Sequence, residues 1–167
     1  GEATNIMFID LTKAYDTVPH EALFAKLDQI GVRGGCLAFV KALYAHSTLQ
    51  VRLPLGNSPV IHLLRGLRQG CPLSPILFDV FINDIFGPPY EPRTEGVTVP
   101  GVPEAEGLVA GLIFADDLAS AAEASRDSSQ VGANRVATWN ATWEMKVGIG
   151  KCGVMSVGPD SDAIQAE

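Results

Sequence analysis

The sequence predicts an α+β fold in which helices pack on one face of an antiparallel sheet. Two observations support this fold class. Segments with strand character alternate with segments of helical periodicity, in the order strand, two helices, hairpin, helix, hairpin, helix and short strands. Two pairs of strands are separated only by turn residues, which favours antiparallel pairing. We find no internal repeat, so we expect one sheet covered by helices.

Length and composition are those of one globular domain. The chain has 167 residues, of which 47% are hydrophobic, enough to form a sizeable core. No apolar run reaches the roughly 18 residues of a membrane span, and the N-terminus lacks the basic-then-apolar order of a signal peptide. We therefore expect an intracellular protein of the nucleus or cytoplasm that is neither secreted nor bound to a membrane.

The three cysteines, Cys36, Cys71 and Cys152, are odd in number and far apart in the sequence. Neither a Cys-x-x-Cys pair nor a neighbouring His suggests a zinc site or a disulfide framework. We therefore expect reduced thiols, most of them in the core.

The net charge of −7 bears on the partners of the chain. Affinity for phosphate backbones comes largely from Lys and Arg, so this charge argues against a domain that holds nucleic acid by itself. The sequence also starts directly on a predicted strand. We expect it to be a piece of a longer protein.

The N-terminal elements bring one acid to the end of a strand. Residues 4–11 form an apolar run that predicts a buried strand with Asp10 near its C-terminal end. A helix follows, with Pro19 at its first position and Gly31 as its stop signal, and a glycine pair precedes a second helix. The apolar positions expected to face the core in these two helices are Ala22, Leu23, Leu27, Ile30, Leu37, Val40, Leu43 and Tyr44.

The middle of the chain predicts a hairpin and a long helix. Residues 49–53 alternate with period two and residues 60–64 return after a turn, with His62 expected to be structural or exposed. Ser74 and Pro75 supply the cap and first residue of the helix. Its apolar face consists of Leu77, Phe78, Phe81, Ile82 and Ile85.

An Asp-Asp pair follows a stretch that we expect to be a solvated loop, residues 87–107, rich in proline, glycine and glutamate. Asp116 and Asp117 lie between the apolar residues 108–113 and 118–122, which predicts a buried strand, a tight turn and a returning buried strand. Asp is common in exposed turns, and this stretch alone equally supports a solvated hairpin tip.

The C-terminal part predicts a helix over residues 125–145, short strands over residues 146–149 and 151–157, and a frayed tail over residues 159–167. Gly132 weakens the middle of the helix. The helix positions expected to pack on one face are Val136, Trp139 and Trp143.

Three carboxylates meet at one edge of the sheet if the strand of Asp10 neighbours the hairpin of Asp116 and Asp117. Oxygen ligands without His or Cys suit Mg²⁺, which binds one or two carboxylates plus substrate phosphates and waters. Two such ions, roughly 3.5–4 Å apart, assist phosphoryl transfer. The alternative is a set of exposed acids that never converge.

Three segments resemble, in order, the first three palm motifs of reverse transcriptases, above all those of the non-LTR (LINE-type) retrotransposon branch. They are residues 8–16 (FIDLTKAYD), residues 68–75 (RQGCPLSP) and residues 114–117 (FADD), and the resemblance covers roughly residues 4–157. It implies a polymerase palm with an antiparallel sheet, together with part of the fingers, over residues 1–158.

The resemblance also implies a metal site and a nucleotide contact. Asp10 and Asp116 correspond to the main ligands of two Mg²⁺ ions, for which Mn²⁺ can substitute, and Asp117 corresponds to the third acid. The carbonyl of Leu11 would complete one metal shell. Tyr15 matches the aromatic residue that lies under the incoming sugar and excludes a 2′-hydroxyl, although a core aromatic is the alternative interpretation.

Further site residues follow from the second and fourth motifs. Gln69 and Gly70 match the loop that contacts the incoming nucleotide and the template. Arg68 is a candidate template contact, with a solvated loop charge as an equal alternative. Lys151 matches the lysine of a fourth motif that usually reads Asn-x-x-Lys-Thr, and it is a candidate general acid for the leaving pyrophosphate. Gly148 departs from that motif, and so does the residue after Lys151.

The function implied is that of an RNA-directed DNA polymerase, which joins a deoxynucleotide to a primer 3′-hydroxyl and releases pyrophosphate. Its expected partners are an RNA template, a DNA primer and deoxynucleoside triphosphates. Fingers and thumb segments of a parent polyprotein would supply the basic surface that grips the duplex, so we expect the isolated chain to be inactive.

Two alternatives remain at this point. The first is a decayed, non-catalytic palm-like domain that serves as an RNA- or protein-binding platform, although such a platform gains nothing from clustered carboxylates that repel one another. The second is the same chemistry in a group II intron maturase or a telomerase-like enzyme.

Overall fold

The computed structural model describes residues 3–87, 96–98, 108–123 and 126–158. The helices are α1 Ala14–Thr17, α2 His20–Gln29, α3 Gly34–Ala45, α4 Leu73–Ile82, α5 Arg126–Trp143 and a short 3₁₀ helix, Ile149–Lys151. The strands are β1 Thr4–Asp10, β2 Thr48–Leu49, β3 Arg52–Leu53, β4 Gly56–Asn57, β5 Ile61–His62, β6 Val97–Thr98, β7 Leu108–Val109, β8 Gly111–Phe114, β9 Asp117–Glu123 and β10 Gly153–Val157.

Contacts within the chain divide it into two compact units. We call Gly1–Ala14 together with Ile82–Glu167 the sheet unit, and Tyr15–Phe81 the helical unit. Among the described residues, no helix has the combined length and apolarity of a membrane span. Most of the predicted 87–107 loop and the predicted 159–167 tail lie outside the described residues.

The sheet unit contains a four-stranded sheet with the order β10-β1-β9-β8. All three pairings are antiparallel. Strand β1 therefore lies in the centre of the sheet, next to the strand that begins at Asp117. The α+β class and the antiparallel sheet predicted from the sequence are confirmed.

Helix α5 covers one face of this sheet. Along β9, the side chains of Leu118, Ser120 and Ala122 are buried and alternate with more exposed ones. A Cβ atom added at Gly132 would lie 2.8 Å from Oγ of Ser120. The glycine that weakens the helix thus lies at a close approach of α5 to the sheet.

The core of the sheet unit is centred on α5. Trp139 is fully buried, and its indole Nε1 donates a hydrogen bond to Oδ1 of Asp84 at 2.8 Å. Val136 is buried as predicted, whereas Trp143 is partly exposed. On the sheet, Asn5 donates to Oγ of Ser129 at 2.9 Å, which ties β1 to the same helix.

The opposite face, which we call the open face, is apolar but exposed. Phe114 is 83% exposed and Leu112 is 67% exposed, and the remaining exposed apolar residues of this face are Phe8, Met155 and Val157. The prediction of buried strands on both sides of the Asp-Asp pair is therefore wrong for β8 and for the open face of β9, and it is confirmed only for the face of β9 that α5 covers. Every second side chain of β8 and β9 points away from α5, because successive residues of a strand face opposite sides of a sheet.

The helical unit has its own core around α2, α3 and α4. The predicted positions Leu23, Leu27, Val40 and Tyr44 are buried, whereas Ile30 is 58% exposed. Ile30 lies just beyond the end of α2, where Gly31 with φ of +91° stops the helix as predicted. The apolar face predicted for the long helix, α4, is also confirmed, because Leu77, Phe78, Phe81 and Ile82 are all buried.

Two helix starts differ by one or two residues from the prediction. Pro19 precedes α2 as its N-cap instead of occupying its first position, and α4 begins at Leu73. Ser74 lies inside α4, where its Oγ donates to the carbonyl of Arg68 at 2.7 Å. This hydroxyl therefore fixes the preceding loop.

The hairpin predicted from residues 49–53 and 60–64 is present over residues 48–62. Strand β2 pairs with β5, and β3 pairs with β4 nearer the tip. The alternating pattern does not produce a buried face, because Leu49, Val51, Leu53 and Ile61 are each about half exposed. His62 is exposed, one of the two outcomes expected from the sequence.

Two predictions about the C-terminal part and the thiols are wrong. Residues 146–149 form no strand: Val147 makes a single bridge to Leu11, and the chain then enters the 3₁₀ helix. Gly148 interrupts the apolar pattern there, and an added Cβ at this position would lie 2.5 Å from Oδ2 of Asp10. The three cysteines are free, as expected, but one is exposed and two are partly exposed, so none is a core residue.

Candidate functional site

Two of the predicted acids lie directly opposite each other on the sheet. Asp10 ends β1, and its antiparallel partner is Asp117 at the start of β9. Directly opposed residues in an antiparallel pair have Cβ atoms about 4.5–5.5 Å apart and share one face of the sheet. Here the shared face is the open one, since the adjacent pair of Ile9 and Leu118 is buried.

Asp116 lies in the turn that precedes Asp117. Phe114 and Asp117 close a hairpin, as the sequence predicts, but its turn consists of Ala115 and Asp116, and Asp117 already belongs to β9. Ala115 has φ of +54°, in the left-handed region that residues other than glycine rarely adopt. Strain of this kind costs on the order of 1–3 kcal/mol and is frequent at functional sites. Ala115 and Asp116 in the turn and Asp117 at the start of β9 are all exposed.

The carboxylate of Asp10 contacts a turn near the C-terminus. Nζ of Lys151 lies 3.2 Å from its Oδ1, with 25% of the Asp10 side chain and 74% of the Lys151 side chain exposed. Its Oδ2 fills the space beside Gly148, where an added Cβ would lie 2.5 Å away. The amide of Gly148 also donates to the Asp10 carbonyl at 2.8 Å, so this turn is bonded to the end of β1.

A cavity of about 460 Å³ opens beside these groups. Asp10, Asp117 and Lys151 line it together with apolar residues that include Phe8 and Leu112. This volume lies within the range of small-molecule sites, which combine an apolar wall with a few polar groups. The sequence-predicted residues that the sheet unit brings together are thus two acids and one lysine.

The side chains of the three acids do not converge. Among the residues that the structure describes, no group of three or more His, Cys, Asp or Glu side chains is arranged to hold a metal ion. The strand register places the backbones of Asp10 and Asp117 opposite each other, as convergence requires. The three carboxylates do not converge, because the carboxylate of Asp10 is turned toward Lys151 and Gly148.

The residues nevertheless fit a hard divalent cation in two respects. Their donors are carboxylate oxygens, which Mg²⁺ and Mn²⁺ prefer. Like charges at directly opposed positions of a sheet destabilise it, and a cation near Asp10 and Asp117 would offset this repulsion. Leu11, the predicted carbonyl ligand, has a buried side chain and bridges to Val147.

In the helical unit, Tyr15 and Gln69 are held by neighbouring side chains. The ring of Tyr15 stacks on the ring of Phe78 with centroids 4.6 Å apart, and part of Tyr15 stays exposed. Nε2 of Gln69 donates to Oδ1 of Asp16 at 2.9 Å. The carboxylate of Asp16 thus orients a predicted nucleotide contact.

The neighbours of Gln69 differ in how they are fixed. Gly70 has φ of +80°, a conformation that glycine adopts freely, and its Cβ position is open. Nη2 of Arg68 donates to the Leu43 carbonyl at 2.7 Å and lies 3.2 Å from Oγ of Ser47. The predicted role of Arg68 as a template contact stays a prediction.

Sequence reasoning missed two features of this site. The first is the direct opposition of Asp10 and Asp117, which follows from strand register and is not encoded in either motif alone. The second is the role of Gly148. Its departure from the fourth motif was visible in the sequence, but the space it leaves for Asp10 depends on a contact between distant segments.

Comparison with known proteins supplies the family context of these residues. The family described as "Reverse transcriptase (RNA-dependent DNA polymerase)" matches residues 1–165. A Pol polyprotein from a type-1 retrotransposable element R2 of Popillia japonica is 30% identical over 115 residues, covering 68% of this chain and 16% of the relative. The RNA-directed DNA polymerase from mobile element jockey of Drosophila melanogaster is 27% identical over 150 residues, covering 87% of this chain and 15% of the relative.

Solved structures show the same fold. An apo telomerase from Candida tropicalis, truncated from its C-terminal domain, superposes with a TM-score of 0.67 at 14% identity, covering 95% of this chain and 32% of the telomerase chain. The chain spans less than a fifth of the length of its R2 and jockey relatives. The matched region is thus one part of those larger proteins.

Proposed function

Because this chain belongs to the reverse transcriptase family, in its non-LTR retrotransposon branch, we propose that it is the catalytic palm of an RNA-directed DNA polymerase. The observation that carries the proposal is the direct opposition of Asp10 and Asp117 on the open face of an antiparallel sheet, next to a hairpin turn that holds Asp116. In the proposed reaction, the 3′-oxygen of a DNA primer attacks the α-phosphorus of a deoxynucleoside triphosphate, and pyrophosphate leaves.

The acids would hold two divalent cations, Mg²⁺ or in its place Mn²⁺. Asp10, Asp116 and Asp117 supply the carboxylates, and the carbonyl of Leu11 is a further proposed ligand. When bound, such ions lower the pKa of a coordinated hydroxyl and offset the charge of the phosphate undergoing transfer. The left-handed conformation of Ala115 supports this assignment, because it keeps the Asp116 turn tight at the sheet edge.

Lys151 is proposed to bind or protonate the leaving pyrophosphate. Its ammonium group lies 3.2 Å from Asp10 and lines the same cavity, so it is within reach of anionic groups that enter there. Proton donation by a positioned side chain contributes about 10²–10⁴-fold to rate in general acid catalysis. For Arg68 we propose a template contact through guanidinium nitrogens other than Nη2, because Nη2 is bonded to the Leu43 carbonyl and to Oγ of Ser47.

Tyr15, Gln69 and Gly70 are proposed to contact the incoming nucleotide. The stacking of Tyr15 on Phe78 supports a steric role, since a ring held by packing can exclude a 2′-hydroxyl. Tyr15→Ala should therefore raise the kcat/KM for ribonucleotides relative to deoxynucleotides, whereas Tyr15→Phe, which keeps the ring, should leave the ratio unchanged. An unchanged ratio in the alanine variant would assign Tyr15 to the core alone.

The substrates and the assembly are also part of the proposal. The RNA template and DNA primer would be gripped by fingers and thumb segments of a parent polyprotein in the nucleus or cytoplasm. The net charge of −7 supports this division, because the chain by itself repels the phosphates of a duplex. The isolated chain is therefore expected to be inactive in primer extension.

A second candidate is a non-catalytic palm-like platform that binds RNA or protein. The pairing of Asp10 with Lys151 favours it, because a carboxylate neutralised by lysine needs no cation. The opposed Asp117 disfavours it, since one lysine leaves the pair of carboxylates with excess negative charge.

Primer extension with a polyprotein that contains this chain decides between the two. Asp10→Asn and Asp116→Asn should each reduce DNA synthesis to background while template binding is kept, because the changes remove metal ligands and little volume. Asp79→Asn, at an exposed position of α4, is the matched control and should retain activity. Full activity of the Asp10 variant would show that this site does not catalyse the synthesis, and it would leave only the platform role for this chain.

A further inference from the structure

The carboxylate of Asp10 lies against two residues of one short turn, Gly148 and Lys151. Oδ1 is 3.2 Å from Nζ of Lys151, and Oδ2 is 2.5 Å from the position that a Cβ atom at Gly148 would take. The Gly148 amide donates to the Asp10 carbonyl at 2.8 Å, and the amide of Thr12 donates to the Lys146 carbonyl at 2.8 Å. The turn therefore cannot move away from β1 without breaking backbone hydrogen bonds.

Gly148 contributes space at this point, not backbone freedom. Its φ of −84° and ψ of +73° do not require glycine. An added Cβ would lie 2.5 Å from Oδ2 of Asp10 and 3.3 Å from Oγ1 of Thr12. Oδ2 is the end of a rotatable side chain, so a methyl group at position 148 would displace the carboxylate and leave the backbone in place.

Lys151 contributes charge. Asp10 and Asp117 are directly opposed on the sheet, and their carboxylates repel each other. The ammonium of Lys151 offsets part of this repulsion by attracting Asp10. A divalent cation bound between the acids would use the same carboxylate and would be repelled by the same ammonium group.

We propose that Gly148 and Lys151 form a receiving position for the Asp10 carboxylate that competes with divalent cations and lowers the affinity of the site for them. The inference rests on the proposed function, because it takes Asp10 as a metal ligand. It predicts that this turn, which follows Asp10 by well over 100 residues in the sequence, determines part of the affinity of the site for divalent cations. Both the space at position 148 and the charge at position 151 would act in the same direction.

The test is a Mn²⁺ titration of the 167-residue chain without nucleotide or nucleic acid, in which electron paramagnetic resonance measures free Mn²⁺. Gly148→Ala and Lys151→Gln should each lower the Kd about two- to fivefold, the range expected when one exposed ion pair is removed. Gly150→Ala is the matched control, because no atom lies within 4 Å of its Cβ position in the same turn. Its Kd should equal that of the unchanged chain.

The Asp10→Asn variant tests the proposed metal site separately from the proposed competition. Binding of Mn²⁺ that weakens in this variant, together with tighter binding in Gly148→Ala and Lys151→Gln, supports the competition. Asp10-dependent binding that is unchanged or weaker in those two variants overturns the inference and leaves the proposed metal site intact. Binding that does not depend on Asp10 in any protein overturns both. If circular dichroism shows that Gly148→Ala is unfolded, Lys151→Gln at its exposed position decides alone.

Discussion

The two faces of the four-stranded sheet are built from the same strands but follow different rules. On the face covered by α5, residues are small or apolar and fit closely, as at Leu118 and Ala122. On the open face, the same strands carry exposed apolar side chains and end in Asp10 and Asp117, two like charges at opposed positions. The residues of the covered face stabilise the fold. The opposed carboxylates of the open face destabilise it, which is expected at a functional site.

Two glycines show the same difference at atomic scale. At Gly132 an added Cβ would meet Oγ of Ser120 at 2.8 Å, within the packed interface of helix and sheet. At Gly148 it would meet Oδ2 of Asp10 at 2.5 Å, at the edge of the open face. Both glycines leave space that a neighbouring oxygen atom occupies. At Gly132 this atom belongs to the packed interface of helix and sheet, whereas at Gly148 it belongs to a carboxylate that can rotate away.

The covered face should respond most strongly to loss of volume. Trp139→Ala is expected to lower the free energy of unfolding by about 3–5 kcal/mol, because the indole is fully buried and its Nε1 is bonded to Asp84. Urea denaturation of the 167-residue chain measures this. Val154→Ala, at a position 65% exposed on β10, is the control and should change the value by less than about 0.5 kcal/mol. Equal effects would mean that α5 does not form the core.

The sequence predicts the covered face well because burial follows periodicity. The apolar stripe of α4 and the buried Trp139 of α5 are visible from helical spacing, and the hairpin at Asp116 is visible from the apolar runs on both sides. The reverse transcriptase motifs, which contain Asp10 and Asp116, are local in sequence and are therefore recognised without a structure.

The open face is less predictable because its features depend on contacts between distant segments. Alternation in the sequence cannot show that Phe114 is exposed, since apolar residues usually indicate burial. Likewise, the opposition of Asp10 to Asp117 depends on strand register, and the contact of Lys151 with Asp10 joins residues 141 positions apart. The turn that replaces the predicted strand over residues 146–149 is likewise bonded to Asp10 and Thr12, which lie far from it in the sequence.

The contact at Gly132 offers a sharper test of close packing on the covered face. Gly132→Ala should destabilise the chain by about 1–2 kcal/mol, because the cost of overpacking against Ser120 exceeds the gain of about 1 kcal/mol in helix propensity. In a Ser120→Ala background, the hydroxyl oxygen is absent and the nearest remaining atom, Cβ, is 3.9 Å away. The same Gly132→Ala change should then stabilise by up to about 1 kcal/mol. Urea denaturation of the four proteins gives the coupling energy, and additivity would show that the two positions do not touch.

The open face should respond to the removal of charge with a small gain in stability. Asp117→Asn is expected to raise the free energy of unfolding by about 0.2–1 kcal/mol, because it removes the repulsion between directly opposed carboxylates at nearly constant volume. The gain should shrink in 1 M salt, where the Debye length is about 3 Å, and Asp79→Asn on α4 should show no such gain. Urea denaturation without divalent cations measures both. A loss of stability on this substitution would mean that Asp117 makes a favourable structural contact. The acids of the open face would then stabilise the fold, as the buried residues of the covered face do.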